Sequence, residues 1–122
     1  MIQKKLEENQ HQLTGPDFFV RSLLLAMLDI LPQVMTNQFG NYLCQKIIEV
    51  SQVTNLTQFV DAVLPSIVDI SMDVHGTRAI QTLIEVLGRN PTTYQTELLT
   101  IGNEFEQYIF ELSTHPNGNH VL

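Results

Sequence analysis

Apolar residues recur every three or four positions through residues 19–35 (FVRSLLLAMLDILPQVM), 56–70 (LTQFVDAVLPSIVDI) and 94–112 (YQTELLTIGNEFEQYIFEL). That spacing loads one side of an α-helix, and nowhere does the chain alternate apolar with polar as a half-buried strand would. Gly and Pro collect between such stretches, at Gly15-Pro16, Phe39-Gly40, Pro65, His75-Gly76, Gly88 to Pro91 and Asn117-Gly118. Glycine and proline punctuate helices at their joints, so the pattern predicts an all-α chain of short helices joined by short turns.

Aligning Gly40, Gly76 and Gly118 brings VMTNQFGNYLCQ, ISMDVHGTRAIQ and LSTHPNGNHVL into register. The first two glycines are 36 residues apart and the last two 42, the longer interval accommodating the loop GRNPTTYQ. Gln45 and Gln81 are also 36 apart, and Gln3 precedes Gln45 by 42 within MIQKKLEE, which reads like LCQKIIE and AIQTLIE. Each unit thus has a first helix, a turn, and a second helix opening after glycine. The expected boundaries are 1–14 for the end of a truncated repeat, 15–52 and 53–91 for complete repeats, and 92–122 for the start of another. Such units cannot bury their apolar faces alone and stack into a solenoid, here expected to be incomplete.

On a helical wheel the second helix places Asn41, Gln45, Glu49, Tyr42 and Lys46 on one side, opposite Leu43, Ile47, Cys44 and Ile48. The next unit repeats the arrangement with Thr77, Gln81, Glu85, Arg78 and Thr82 opposite Ala79, Leu83, Ile80 and Ile84. Polar groups one turn apart reach the edge of one flat ligand, and a planar side chain beside them covers its face. Gln and Asn each carry a donor and an acceptor, while Tyr, Arg and His supply stacking planes. The pattern is equipment for reading single-stranded bases, one per helical unit.

Charge modifies that expectation. Six basic against 13 acidic residues give a net charge of −7. Affinity from coating phosphates is therefore disfavoured, and any nucleic-acid binding must rest on base contacts. A composition 43% apolar and 16% charged is globular, and a single cysteine, Cys44, excludes an internal disulfide and suits a reducing compartment. Cys44 is expected in the core, and the three glycines are expected to serve turns. Arg21, Asp29 and Pro32 interrupt the apolar segment 18–35, so no membrane-crossing run is expected and the protein reads as soluble. His75, His115 and His120 lack metal-ligand spacing, and neither a catalytic constellation nor a phosphate-cradling loop occurs. No metal, cofactor, small-molecule substrate or enzymatic activity is expected.

FGNYLCQKIIE, HGTRAIQTLIE and NGNHVL resemble second helices of Pumilio-family (PUF) repeats, from roughly the end of the first repeat to the start of the fourth. The resemblance implies a right-handed α-solenoid that binds single-stranded, U/A-rich messenger RNA in its untranslated regions and represses the transcript, in the cytoplasm. By that resemblance, Asn41 and Gln45 contact a uracil edge under Tyr42. Thr77 and Gln81 face an adenine with Arg78 stacking, although Thr77 departs from the commoner Cys or Ser. Asn119 and His120 begin a further uracil trio, and Gln3 survives from an earlier one. The resemblance also implies a convex face open to co-repressor or deadenylase proteins. Two other readings fit the period: an armadillo- or HEAT-like protein-binding scaffold, which suits the acidic charge, and a nucleolar PUF relative with little sequence preference.

Overall fold

The computed structural model describes residues 16–122; Gln3 and the expected repeat end at 1–14 lie outside the described residues. Two rows of helices stack along the chain. The outer row comprises α1 (Pro16–Met27) continuing through a 3-10 turn into α2 (Leu31–Met35), then α4 (Val53–Val63) continuing into α5 (Ile67–Met72), then α7 (Gln95–Gln107) and α8 (Ile109–Thr114). The second row contains α3 (Gly40–Val50), α6 (Gly76–Gly88) and a terminal 3-10 turn, Gly118–Val121. Leu24, Leu31, Met35, Cys44, Ile48, Leu56, Phe59, Ile80 and Leu83 are fully buried between the rows. The described residues form an all-α solenoid, as the periodicity predicted.

The first helices are not continuous. Each breaks at one repeat position, where Ile30, Ser66 and Tyr108 have φ/ψ of −120/14, −115/11 and −122/27. Proline flanks the first two breaks, at Pro32 and Pro65, but not the third. The bend therefore belongs to the repeat rather than to proline alone, although a missing N–H makes it easier where proline occurs. The joint between α3 and α4, at the expected boundary between residues 52 and 53, contains neither Gly nor Pro. Ser51 and Gln52 turn the chain in extended conformation, with the Ser51 hydroxyl donating to the Ile47 carbonyl.

The glycines at the row crossings serve close approach rather than unusual dihedrals. A Cβ on Gly40 would sit 2.5 Å from the Val34 carbonyl oxygen and 2.8 Å from Val34 Cγ1. One on Gly76 would collide with the Ile70 carbonyl oxygen and lie 2.8 Å from Ile70 Cγ2. At Gly118 the nearest atom is Leu112 Cδ2, at 3.1 Å. A carbonyl in the last turn of α2 and of α5 thus presses on the glycine that opens the next helix.

A repeated cap fixes each crossing. Asn37 Oδ1 accepts from the N–H groups of Phe39 (2.8 Å) and Gly40 (2.9 Å). Asp73 Oδ2 accepts from those of His75 and Gly76, both at 2.8 Å. His115 Nδ1 accepts from those of Asn117 (3.0 Å) and Gly118 (3.1 Å). All three satisfy backbone donors orphaned at a helix start. Their spacing equals that of the glycines, a signal present in the sequence but not read. It also gives His115 a structural task.

The helical run Asp17–Met35 corrects one expectation. It spans 19 residues at a mean hydropathy of 1.6, long and apolar enough by composition to cross a membrane despite Arg21, Asp29 and Pro32. Its environment here is protein on one side. Leu24, Leu31 and Met35 are fully buried, and Arg21 donates to Asn55 Oδ1 (2.8 Å) and Gln58 Oε1 (3.3 Å) across to α4.

Cys44 lies in the core, where burial pushes its thiol up to about 12 from the usual 9.0. The folded state keeps this proton at pH values where the unfolded chain releases it. Stability from this source is fully present below about pH 9 and declines as pH rises toward 12. Chemical denaturation at pH 7 and pH 10.5 should show a lower midpoint at the higher pH, and Cys44→Ala should reduce that difference. An unchanged difference would contradict the assignment to Cys44.

Candidate nucleic-acid interface

Helices α3 and α6 lie side by side in the second row, and their polar residues form one surface. Tyr42 is 60% exposed, and Arg78 and His120 are exposed at the equivalent places on α6 and the terminal turn. Gln45 and Gln81 are half-buried. Glu49 and Glu85 are exposed one turn further along, and Glu85 faces Arg89 at 4.0 Å, an exposed pair worth little. Among the described residues Arg78 has no carboxylate partner, so its guanidinium plane is available.

The residues expected beside the glutamines lie deeper than the wheel predicted. Asn41 is 1% exposed and Thr77 3%, whereas Leu43, assigned to the apolar side, is 40% exposed. The next unit supplies the partner at Thr77, whereas Asn41 is turned onto its own Asn37–Gln38 turn; Ala79, the counterpart of Leu43 on α6, is fully buried. Asn41 Nδ2 donates to the carbonyls of Asn37 (2.9 Å) and Gln38 (3.1 Å), and Asn41 Oδ1 accepts from Gln45 Nε2 (3.1 Å). Asn119 repeats the first pair, donating to His115 O (2.7 Å) and Pro116 O (3.0 Å). Thr77 Oγ1 instead donates to Asn117 O (2.9 Å) in the next unit and accepts from Gln81 Nε2 at 3.4 Å.

On α3 and α6 the row therefore consists of an exposed planar side chain, a half-exposed amide, and a deeper polar residue bonded to that amide. Sequence reasoning placed Thr82 on the polar face but missed its contact: Thr82 Oγ1 donates to Gln45 Oε1 at 3.0 Å across the repeat junction. No periodic signal marks it, since Lys46 occupies the equivalent place on α3. The described residues contain no group of three or more His, Cys, Asp or Glu able to hold a metal ion.

Two-helix units repeating at 36 and 42 residues, each presenting a planar side chain and an amide on one row, define a helical-repeat protein. The chain belongs to the Pumilio family: the profile of the Pumilio-family RNA binding repeat matches residues 31–64, 66–90 and 108–122. Pumilio domain-containing protein C6G9.14 of Schizosaccharomyces pombe is 34% identical over 99% of this chain and 16% of its own length. Pumilio homolog 12 of Arabidopsis thaliana is 33% identical over 84% of this chain and 17% of its own. The chain thus spans about a sixth of these relatives' length. The Puf4 RNA binding domain bound to an HO endonuclease RNA 3′ UTR recognition sequence superposes with a TM-score of 0.77 at 30% identity, covering 97% of this chain and 34% of that one. A Puf4 mutant bound to a Cox17 RNA 3′ UTR recognition sequence gives 0.75 at 31%, covering 84% of this chain and 32% of that one. The family is defined by a binding repeat, not by a catalytic activity.

Proposed function

We propose that the full-length protein binds single-stranded messenger RNA sequence-specifically, one base per repeat, through the row bearing Tyr42 and Gln45, Arg78 and Gln81, and Asn119 and His120. The observation that carries this reading is the recurrence on adjacent helices of an exposed stacking side chain beside a half-exposed amide anchored from below. Every base has a face to stack on and a hydrogen-bonding edge, and this pairing addresses both. Asn41 and Gln45 would take a uracil and Thr77 and Gln81 an adenine. Asn41 and Thr77 act largely by holding the glutamines, since their own polar atoms are committed inside the fold. Binding to untranslated regions, repression of the transcript and a cytoplasmic place of action complete the proposal; solved Puf4 complexes with 3′ UTR sequences support the RNA class.

The outer row suits a different partner. A cleft of about 510 Å³ between the first helices is lined by Leu28, Asp29, Gln58, Asp61 and Ala62, and a second of about 260 Å³ includes Asp69 and Glu104. These carboxylates repel RNA and leave the outer face to protein partners of the co-repressor or deadenylase kind.

Ionic strength distinguishes base contacts from phosphate coating. The full-length protein, titrated with its preferred RNA from 50 to 300 mM salt, should show a slope of log affinity against log salt corresponding to fewer than about four neutralised phosphates. A slope equivalent to about eight or more, or equal affinity for every RNA sequence, would overturn the proposal.

A further inference from the structure

We infer that Asn117 is a positioning residue for the third reading unit, setting where Asn119 and His120 stand relative to Arg78 and Gln81 on α6. The inference rests on the RNA-reading proposal. Asn117 lies in the turn that opens the terminal unit, shortly before Asn119 and His120. A carbonyl oxygen has two lone pairs, and that of Asn117 accepts twice: from the Thr77 hydroxyl on α6 at 2.9 Å and from the His120 N–H at 3.2 Å. A single oxygen thus joins the residue beneath one reader to the backbone of the next stacking residue.

One attachment would leave the turn free to pivot about it. The Asn117 side chain supplies a second, since its Nδ2 donates at 3.2 Å to the carbonyl of Met72, the last residue of α5. Carbonyls at a helix end lack donors from their own helix, so the amide satisfies an orphaned acceptor as it ties the turn down. Asn117 therefore grips both helices of the preceding unit, α5 through its side chain and α6 through its carbonyl, while its own N–H donates to the His115 cap at 3.0 Å. Backbone carbonyls only accept, so the direction of both cross-unit bonds is fixed.

The junction one unit earlier is built differently. His75 occupies the place of Asn117, and its carbonyl accepts from the Arg78 N–H at 3.2 Å just as that of Asn117 does from His120. Asn41, in the place of Thr77, turns its donors instead onto the Asn37 and Gln38 carbonyls of its own turn. His75 also carries no side-chain amide to reach the end of α2. Among the described residues the two-point hold is particular to the junction between the second and third readers.

The test measures the affinity of the full-length protein for the single-stranded RNA it selects from a random pool and for copies of that RNA lacking one base at a time. Wild type, Asn117→Ala, Asn117→Asp and His75→Ala are compared. Asn117→Ala keeps the backbone carbonyl and removes the amide, whereas Asn117→Asp keeps the shape but sets an acceptor against the Met72 carbonyl. Asn117→Ala should weaken binding of the complete RNA by about three- to tenfold, the consequence of losing about one hydrogen bond. That loss should disappear when one base is removed, the neighbour of the base whose identity Gln81→Glu alters, and persist when any other is removed. Asn117→Asp should show the same base-dependent part on top of a uniform loss from its charge, and His75→Ala should show none. Equal losses against the complete RNA and every base-deleted copy, as a merely destabilised fold produces, or no loss at all, would overturn the positioning role while leaving the RNA-reading proposal standing. A wild-type protein insensitive to the removal of any base would overturn both.

Discussion

Replacing Gly76 by alanine is expected to destabilise the fold by about 3 kcal/mol, the upper end of overpacking costs in a close-packed interior. The added methyl meets the Ile70 carbonyl oxygen and Ile70 Cγ2, and a backbone oxygen at the end of α5 cannot rotate away as a flexible side chain would. Relief requires separating α6 from α5, which also pulls on the Asp73 cap. Gly40→Ala, against the Val34 carbonyl, should cost a similar amount, and Gly118→Ala less, because Leu112 Cδ2 can yield. Gly102→Ala is the control. Nothing lies within 4 Å of its Cβ position inside α7, and alanine there should stabilise by up to about 1 kcal/mol. Denaturant midpoints rank the four variants. A Gly76→Ala protein as stable as wild type would refute the close-approach explanation of the repeated glycine.

The glycine period, the helical class and the two-row stacking were legible in the sequence because each depends on spacing alone. What glycine does at those places was not legible. Turn glycine and close-packing glycine look identical in one dimension, and only the position of the Ile70 carbonyl separates them. The same limit explains Asn41. A helical wheel assigns residues to the faces of one isolated helix, so it placed Asn41 with Tyr42 and Leu43 with Ile47. In the structure Asn41 is turned inward onto the Asn37 and Gln38 carbonyls and is 1% exposed, while Leu43 is 40% exposed although its counterpart Ala79 is fully buried. The Thr82–Gln45 contact was invisible for a related reason: the two residues lie in different repeats, and nothing periodic announces a contact made at one junction only. Asn37, Asp73 and His115 could have been found, since they share the glycines' spacing, but three different residue types conceal one shared function as acceptors.

Truncating Tyr42 to alanine should weaken binding of every RNA that occupies its position by roughly 1 to 3 kcal/mol, irrespective of the base there. The ring is 60% exposed, so little folding energy depends on it, and stacking does not distinguish strongly among bases because each has a π-face. Tyr42→Phe should retain most of the affinity. The amide neighbours should behave in the opposite way, since Gln45 contributes an ordered donor and acceptor and hence identity. Affinities measured with the full-length protein and the four RNAs differing only at that position separate the two roles. A Tyr42→Ala loss confined to one base would assign recognition to the ring and contradict the division of labour.

The central claim is that Gln45 and Gln81 each read one base, on neighbouring helices. Its most direct test is the complete single-base preference profile of the full-length protein, wild type against Gln45→Glu and Gln81→Glu, with circular dichroism confirming the fold. A carboxylate accepts but cannot donate, so each change should alter preference at one RNA position only, toward a base richer in donors, and the two altered positions should be adjacent. Identical profiles for wild type and both folded variants would contradict the account and make the repeated glutamine ordinary helix surface.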